Sequence, residues 1–276
     1  MNEDQESRVS GDGCTIAFRA DGAEDAPALL LSNALGTNLN MWAPQVAAFA
    51  AHFLVIRYDT RGHGQSDAPR NPYTIDQLGR DALAVLDAAN VSRAHVCGLS
   101  LGGVTAMWLA VNAPLRVAAL VLAATAGRIG AREMWETRIE QVLAGGTESI
   151  ADAVMTRWFT EEFRASSPSL VETYRSMLTS TPRDGYIGCS AALRDADLRH
   201  TIERITAPTL VVAGTADAAT PPTDGEEIRR RVPGAAMQTL NGSHLINVEQ
   251  PDAFNRAVLT FIGQQQHPAQ ARASHG

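Results

Sequence analysis

Val96-Cys97-Gly98-Leu99-Ser100-Leu101-Gly102-Gly103 reads as the end of a buried strand, a tight turn and the first turn of a helix. Within it, Gly98-Leu99-Ser100-Leu101-Gly102 has the spacing G-x-S-x-G of a nucleophile elbow, in which a strained turn projects a serine hydroxyl above the carboxyl end of a sheet. Glycines at 98 and 102 suit a place where strand and helix approach closely. The surroundings fit: Ala94, Val96 and the apolar run Val117 to Ala124 predict neighbouring buried strands, and Val104 to Ala113 is helical in composition. Alone, the same letters also describe a glycine-rich turn at an ordinary strand-to-helix junction, so partners elsewhere in the chain decide.

Upstream, Met1 to about Ser10 is expected to be a frayed arm, followed by an alternating strand over Cys14 to Arg19 and a turn at Asp21-Gly22. Ala28 to Leu31 is a continuous apolar run, as a strand covered on both faces requires, and it leads through the loop Ser32 to Thr37 into a helix over about 40–51. Phe53 to Ile56 is the next buried strand. The loop after it, Arg57 to Ser66, holds Asp59 and Arg61, whose charge-assisted hydrogen bonds would pin it, and His63 between two glycines; all three are read as structural. A helix is expected over 74–89, with Asp76 near its start.

Downstream, residues 127–199 carry helical signatures without a convincing strand: Trp135, Ile139, Val142 and Leu143 at one helical spacing, Ile150, Val154, Trp158 and Phe159 at another, and a third helix over Ser169 to Leu178. Strand character returns at Thr209 to Gly214 and Ala236 to Leu240, with helices around Glu226 to Arg231 and Asp252 to Ile262. The expected organisation is a core of residues 1–126 and 200–263, a helical cap over 127–199 and a disordered, solvated tail over 264–276.

A chain of 276 residues with 45% hydrophobic residues can bury one large core. Its formal net charge of -7 argues against non-specific binding to nucleic acid or an anionic membrane, so an anionic ligand would have to be met by local cations. Every basic residue outside the histidines is arginine, which leaves no lysine for Schiff-base chemistry. Three widely spaced cysteines, Cys14, Cys97 and Cys189, and an acidic, polar N-terminus without an apolar stretch predict a reduced, cytoplasmic protein with no export signal.

A serine hydroxyl needs a base and an orienting acid. The strand Thr209 to Ala213 runs into Gly214-Thr215-Ala216-Asp217, and the strand ending at Leu240 into Asn241-Gly242-Ser243-His244, so that Ser100, Asp217 and His244 follow in the order of the α/β-hydrolase fold. Asp217 could otherwise cap the turn before Pro221, and His244 could otherwise start a helix. His52, His95 and His200 lie at element ends, and His267 and His275 in the tail. The fold class is therefore α/β, a mostly parallel sheet flanked by helices with an inserted helical cap. In this reading His244 is the general base, Asp217 fixes its tautomer, and the oxyanion is met by the backbone N–H groups of Leu101 and Ala34, with Leu35 one residue away as the alternative. Serine at the elbow excludes the dehalogenase and epoxide-hydrolase chemistries that use aspartate there. Cys97 precedes the first glycine of the motif and is not the nucleophile.

Several stretches beyond the triad resemble the 3-oxoadipate enol-lactone hydrolases of the bacterial β-ketoadipate pathway: Leu31 to Thr37, Arg57 to Gly64, Cys97 to Gly103, Thr125 to Gly130, Ala192 to Leu198 and Ser243 to Glu249. Ser32-Asn33 in place of the commoner His-Gly, and the segments in the cap, are the narrower signals; Gly127 for alanine and Leu101 for methionine are departures. The resemblance implies hydrolysis of an enol-lactone to 3-oxoadipate, a small anionic substrate, and no cofactor or metal. Some relatives carry a fused decarboxylase domain, which a chain of this length is expected to lack. A carboxylesterase, perhydrolase or carbon-carbon bond hydrolase, or a non-catalytic ligand-binding protein of this fold, are the alternatives. If the substrate carries a carboxylate, arginine is its natural partner. Trp135 is expected as an apolar wall and Arg138, three residues on along the same helix face, as the carboxylate contact, with Arg128 next.

Overall fold

Apolar runs that need cover on both faces form the middle of a single sheet in the computed structural model, which describes residues 7–70 and 72–266. The strands are β1 (Ser7–Gly11), β2 (Cys14–Asp21), β3 (Ala28–Ser32), β4 (Leu54–Tyr58), β5 (Ala94–Leu99), β6 (Val117–Ala123), β7 (Thr209–Gly214) and β8 (Ala236–Leu240). Their order is β1-β2-β4-β3-β5-β6-β7-β8. The first two joins are antiparallel and the rest parallel. β3, β4, β5 and β7 are buried along their whole length, as continuous Val, Leu and Ile runs dictate. Helices α1 (Ala43–Ala50) and α11 (Pro251–Gln266) pack as one pair against the sheet, and α2 (Ile75–Ala88) and α3 (Leu101–Asn112) as another.

Three sequence expectations are corrected here. Of the arm expected to fray, residues 7–10 pair instead within β1, because Asp12 and Gly13, at φ 44° and 74°, form a two-residue hairpin turn onto β2; residues 1–6 lie outside the described residues. The tail expected from Gln264 begins as helix, since α11 runs through Gln266; residues 267–276, with His267 and His275, lie outside the described residues. Between β6 and β7 stand five α-helices rather than three: α4 (Arg132–Gly145), α5 (Ala151–Trp158), α6 (Glu161–Ser166), α7 (Pro168–Thr179) and α8 (Arg183–Asp195). Glycines hide α8 from a propensity reading. They are there for contact: a Cβ on Gly185 would overlap the backbone of Gly62, and one on Gly188 the ring of Tyr73. The two ends of this insertion meet where Leu198 N–H donates to the Gly127 carbonyl (2.8 Å), and a Cβ on Gly127 would stand 3.1 Å from Arg199 Cγ.

The loop after β4 is pinned by buried charge. Asp59 accepts the N–H groups of Leu39 (2.7 Å) and Gln65 (2.8 Å), while Arg61 pairs in bidentate fashion not with Asp59 but with Asp81 of α2, both bonds 2.6 Å. His63 is fully buried; its Nε2 accepts the Gly36 N–H (3.0 Å), so the ring proton sits on Nδ1 and donates to the Arg61 carbonyl (3.2 Å). The carboxyl ends of the parallel strands thus collect the loops after β3, β4, β5, β7 and β8, the place where open α/β sheets build their sites.

Burial pushes the His63 imidazole down to about 4. The native ring stays neutral down to that pH while the unfolded chain protonates below about 6.5, so stability is full above pH 6.5 and falls as pH drops toward 4, by about 3 kcal/mol from this residue. Urea unfolding at pH 7 and pH 4.5 should show this loss. His63→Gln, which keeps an acceptor for Gly36 and does not titrate, should show a shallower one.

Candidate active site

Ser100 sits between β5 and α3 at φ 57°, ψ -116°, a left-handed backbone that costs a non-glycine residue about 1–3 kcal/mol. Its surroundings hold it there. Ser100 N–H donates to the Ala123 carbonyl (3.0 Å), and its own carbonyl accepts from Thr125 Oγ1 (2.8 Å) and Val104 N–H (3.1 Å). A Cβ on Gly98 would overlap the Gly102 carbonyl and one on Gly102 the Ser32 carbonyl, so both positions admit only glycine at this crossing.

Asp217 follows β7 and His244 follows β8, and the two loops are sewn together by Thr215 N–H to the Leu240 carbonyl (2.9 Å) and Ala216 N–H to the Gly242 carbonyl (2.8 Å). His244 Nδ1 lies 2.8 Å from Asp217 Oδ2. The same carboxylate accepts Thr220 Oγ1 (2.7 Å) and the N–H groups of Ala219 (2.8 Å) and Thr220 (3.0 Å). Burial would raise the Asp217 pKa, but the His244 charge and these hydrogen bonds outweigh it and hold the carboxyl below its ordinary range. An ionised Asp217 places the His244 proton on Nδ1 and leaves Nε2 as the basic nitrogen.

Ser100 and His244 border one cavity of about 330 Å³. Its other walls include Leu35 from the loop after β3, Trp135 and Arg138 from α4, Arg157 and Trp158 from α5, and Tyr186 from α8. A larger groove of about 600 Å³, lined by Phe18, Arg19, Leu54 and Ala88 among others, lies at the amino ends of the parallel strands and reaches none of these side chains.

Of the residues singled out from sequence, Ser100, His244, Trp135 and Arg138 meet in this cavity, with Asp217 behind His244. Leu101 is the first residue of α3, so its N–H has no intrahelical acceptor. Ala34 does not border the cavity and its neighbour Leu35 does. In that loop Gly36 N–H is taken by His63 and Thr37 N–H by the Ala34 carbonyl. Asn33 explains the Ser-Asn signature: its side chain donates to the Tyr58 carbonyl (2.7 Å) and accepts from Trp42 Nε1 (2.9 Å), bracing the loop from both sides. Arg128 is corrected: it lies outside the cavity, partly exposed and 3.9 Å from Asp197, because the turn before α4 faces the end of the insertion rather than Ser100. Arg132 likewise pairs with Glu136 and Asp195.

Arg157 and Tyr186 were missed. The visible signal was Arg157 beside Trp158, an arginine next to a buried aromatic as in α4. Arg138 Nη1 donates to the Tyr186 hydroxyl (3.2 Å). Burial, and then the neighbouring charge of Arg138, push the Arg157 guanidinium downward. Among the described residues neither Arg138 nor Arg157 has a carboxylate partner, whereas most arginines of the insertion do. The cavity is therefore a compact positive site within an acidic protein.

A family model described as alpha/beta hydrolase fold matches residues 27–251. The chain is 44% identical to 3-oxoadipate enol-lactonase 2 of Acinetobacter baylyi over 88% of its length and 91% of that protein's. Against 3-oxoadipate enol-lactonase 1 of the same organism the identity is 40%, over 91% and 94%. The crystal structure of the enol-lactonase from Burkholderia xenovorans superposes with a TM-score of 0.92 at 41% identity, covering 93% of this chain and all of that one. Sequence, sheet order and site architecture converge: the chain belongs to the α/β-hydrolase fold family and, within it, to the 3-oxoadipate enol-lactonases.

Proposed function

We propose that the protein hydrolyses 3-oxoadipate enol-lactone to 3-oxoadipate, with Ser100 as nucleophile, His244 as general base and acid, and Asp217 as the orienting carboxylate. The observation that carries this reading is one cavity with Ser100 and His244 on one side and two guanidinium groups without carboxylate partners, Arg138 and Arg157, on another. A lactone that bears a free carboxylate has a place there for each end. Residues 127–199 act in this reading as a cap that supplies the cationic wall. The reading also places the enzyme in the cytoplasm, supported by three free, buried cysteines, and no helix among the described residues is long and apolar enough to cross a membrane.

The steps follow from charge. As Ser100 Oγ bonds to the lactone carbonyl carbon, its proton passes to His244 Nε2, and the imidazolium is stabilised by Asp217. Negative charge on the carbonyl oxygen is met by the N–H of Leu101 and by one from the loop after β3, that of Ala34 or of its neighbour Leu35, which borders the cavity. The ring carbon-oxygen bond then breaks, His244 returns the proton to the departing enol oxygen, and the enol ketonises. Water, deprotonated by His244, releases the acyl group from Ser100. The carboxylate is held by Arg157 and Arg138, with Trp135 and Trp158 as apolar walls.

Ser100→Ala should leave a folded protein whose turnover is lower by several orders of magnitude yet above background, because oxyanion donors and binding contacts remain. A serine-directed phosphonate should label Ser100 in the parent, as peptide mapping by mass spectrometry would report.

Asp217→Asn should cut kcat by about 10⁴ at unchanged thermal stability, since asparagine favours the wrong His244 tautomer. Asp224→Asn is the control; labelling or loss that tracks Asp224 instead would move the acid.

Arg157→Ala and Arg138→Ala should each raise KM for the enol-lactone by about tenfold or more while p-nitrophenyl acetate, which has no carboxylate, is hydrolysed at nearly the parent rate. Arg128→Ala should change neither. Equal losses on both substrates would point to a general esterase with a damaged cap.

A further inference from the structure

Glu249 is buried, at 9% exposure, and ends the short helix α10 (Ile246–Glu249) that follows His244. Its carboxylate faces two different parts of the molecule. One oxygen accepts Thr160 N–H (2.6 Å) and Thr160 Oγ1 (3.0 Å), at the junction of α5 and α6 in the insertion. The other accepts the N–H of Ser243, the residue before His244. Among the described residues no cation pairs with it, so the buried charge rests on these three donors. The backbone is shaped for it, because a Cβ on Gly242 would run into this carboxylate.

The same two segments are joined twice more. Ser243 Oγ donates to the Arg157 carbonyl (2.9 Å), and Leu245 N–H to the Trp158 carbonyl (3.0 Å). His244 is thus flanked on both sides by residues tied to Arg157 and Trp158, and all three side chains border the cavity. We propose that Glu249 is a positioning residue that locks the His244 loop and the 157–160 segment into one rigid wall, setting the distance between the basic nitrogen and the guanidinium that meets the substrate carboxylate. The wall then stays with the core, and any opening of the cap leaves it in place. This rests on the proposed lactonase reading for the Arg157 arm only; the His244 arm holds for any ester.

Glutamine is the informative replacement. It offers one acceptor oxygen and one amide to donors on both sides, so one arm must be lost. In Glu249→Gln, with folding checked by circular dichroism and thermal melting, kcat should fall by about tenfold or more on both the enol-lactone and p-nitrophenyl acetate, as expected of a displaced base. KM should rise by about fivefold or more for the enol-lactone and stay within about twofold for p-nitrophenyl acetate. A folded variant in which kcat alone, KM alone or neither constant moves overturns the coupling, since a merely structural seam lowers the melting temperature and leaves kinetics intact. Should the variant fail to fold, Thr160→Val decides: it removes one insertion-side donor and keeps the backbone N–H. It should raise KM for the lactone more than about twofold at near-parent kcat on both esters, and an unchanged KM overturns the proposal. A parent that hydrolyses p-nitrophenyl acetate but not the enol-lactone would instead defeat the lactonase reading, leaving the fall in kcat on p-nitrophenyl acetate as the test of the His244 arm.

Discussion

Everything at the carboxyl end of the sheet depends on the left-handed backbone of Ser100. An L-residue avoids φ 57°, ψ -116°, so the conformation persists only because neighbouring elements overdetermine it. The pleat of β5 brings Gly98 under the first turn of α3, Gly102 lies on the Ser32 carbonyl at the end of β3, and Thr125, just past β6, holds the Ser100 carbonyl. Three adjacent strands therefore share in presenting one hydroxyl. With the serine fixed this way, the first N–H of α3 is left without an intrahelical acceptor next to Ser100, as the proposed oxyanion contact requires.

The second requirement is to bury polar loops without stranding their charges. Asp59 satisfies backbone donors, Arg61 finds Asp81 across on α2, and His63 stays neutral to serve as an acceptor. Each interaction fixes a loop that ends near Ser100: the chain from Asp81 through Arg61 and His63 to Gly36 ends one residue from Leu35. The close pass of Gly62 and Gly185 then seats α8, and with it Tyr186 and the far wall of the cavity, on that loop.

An acidic protein that binds an anion has to solve the problem locally. Arg128, Arg132, Arg194 and Arg199 of the insertion are paired with Asp195, Asp197 or Glu136, while among the described residues Arg138 and Arg157 have no carboxylate partner and Arg138 donates to Tyr186 instead. In the proposed function, the like charges of these two guanidinium groups are relieved when a substrate carboxylate enters, which ties affinity to the chemistry of the substrate. The same segment that carries Arg157 is sewn to the His244 loop, so in the proposed mechanism recognition and proton transfer share one scaffold.

Order and local chemistry were legible in the residues themselves. Glycines around Ser100, apolar runs of strand length, and an aspartate and a histidine each just past a strand define the fold class, the triad candidates and the family resemblance, because these are short-range patterns set by backbone sterics and by the period of burial. Local signals failed where contacts are long-range or competing. The Asp12-Gly13 turn was overlooked beside a polar arm, and α8 was hidden because its glycines answer to Gly62 and Tyr73, far away in sequence. The choice between Ala34 and Leu35 as the second proposed oxyanion donor turns on one residue of loop register, which spacing does not fix. Which arginines serve the cavity was beyond any spacing rule: Arg128, Arg132, Arg138 and Arg157 are alike as letters, and only the packing of α4, α5 and α8 over the sheet decided which meet a carboxylate of the protein and which face Ser100. A guanidinium's role is set by the charges the fold brings within a few ångströms of it, and those come from elsewhere in the chain.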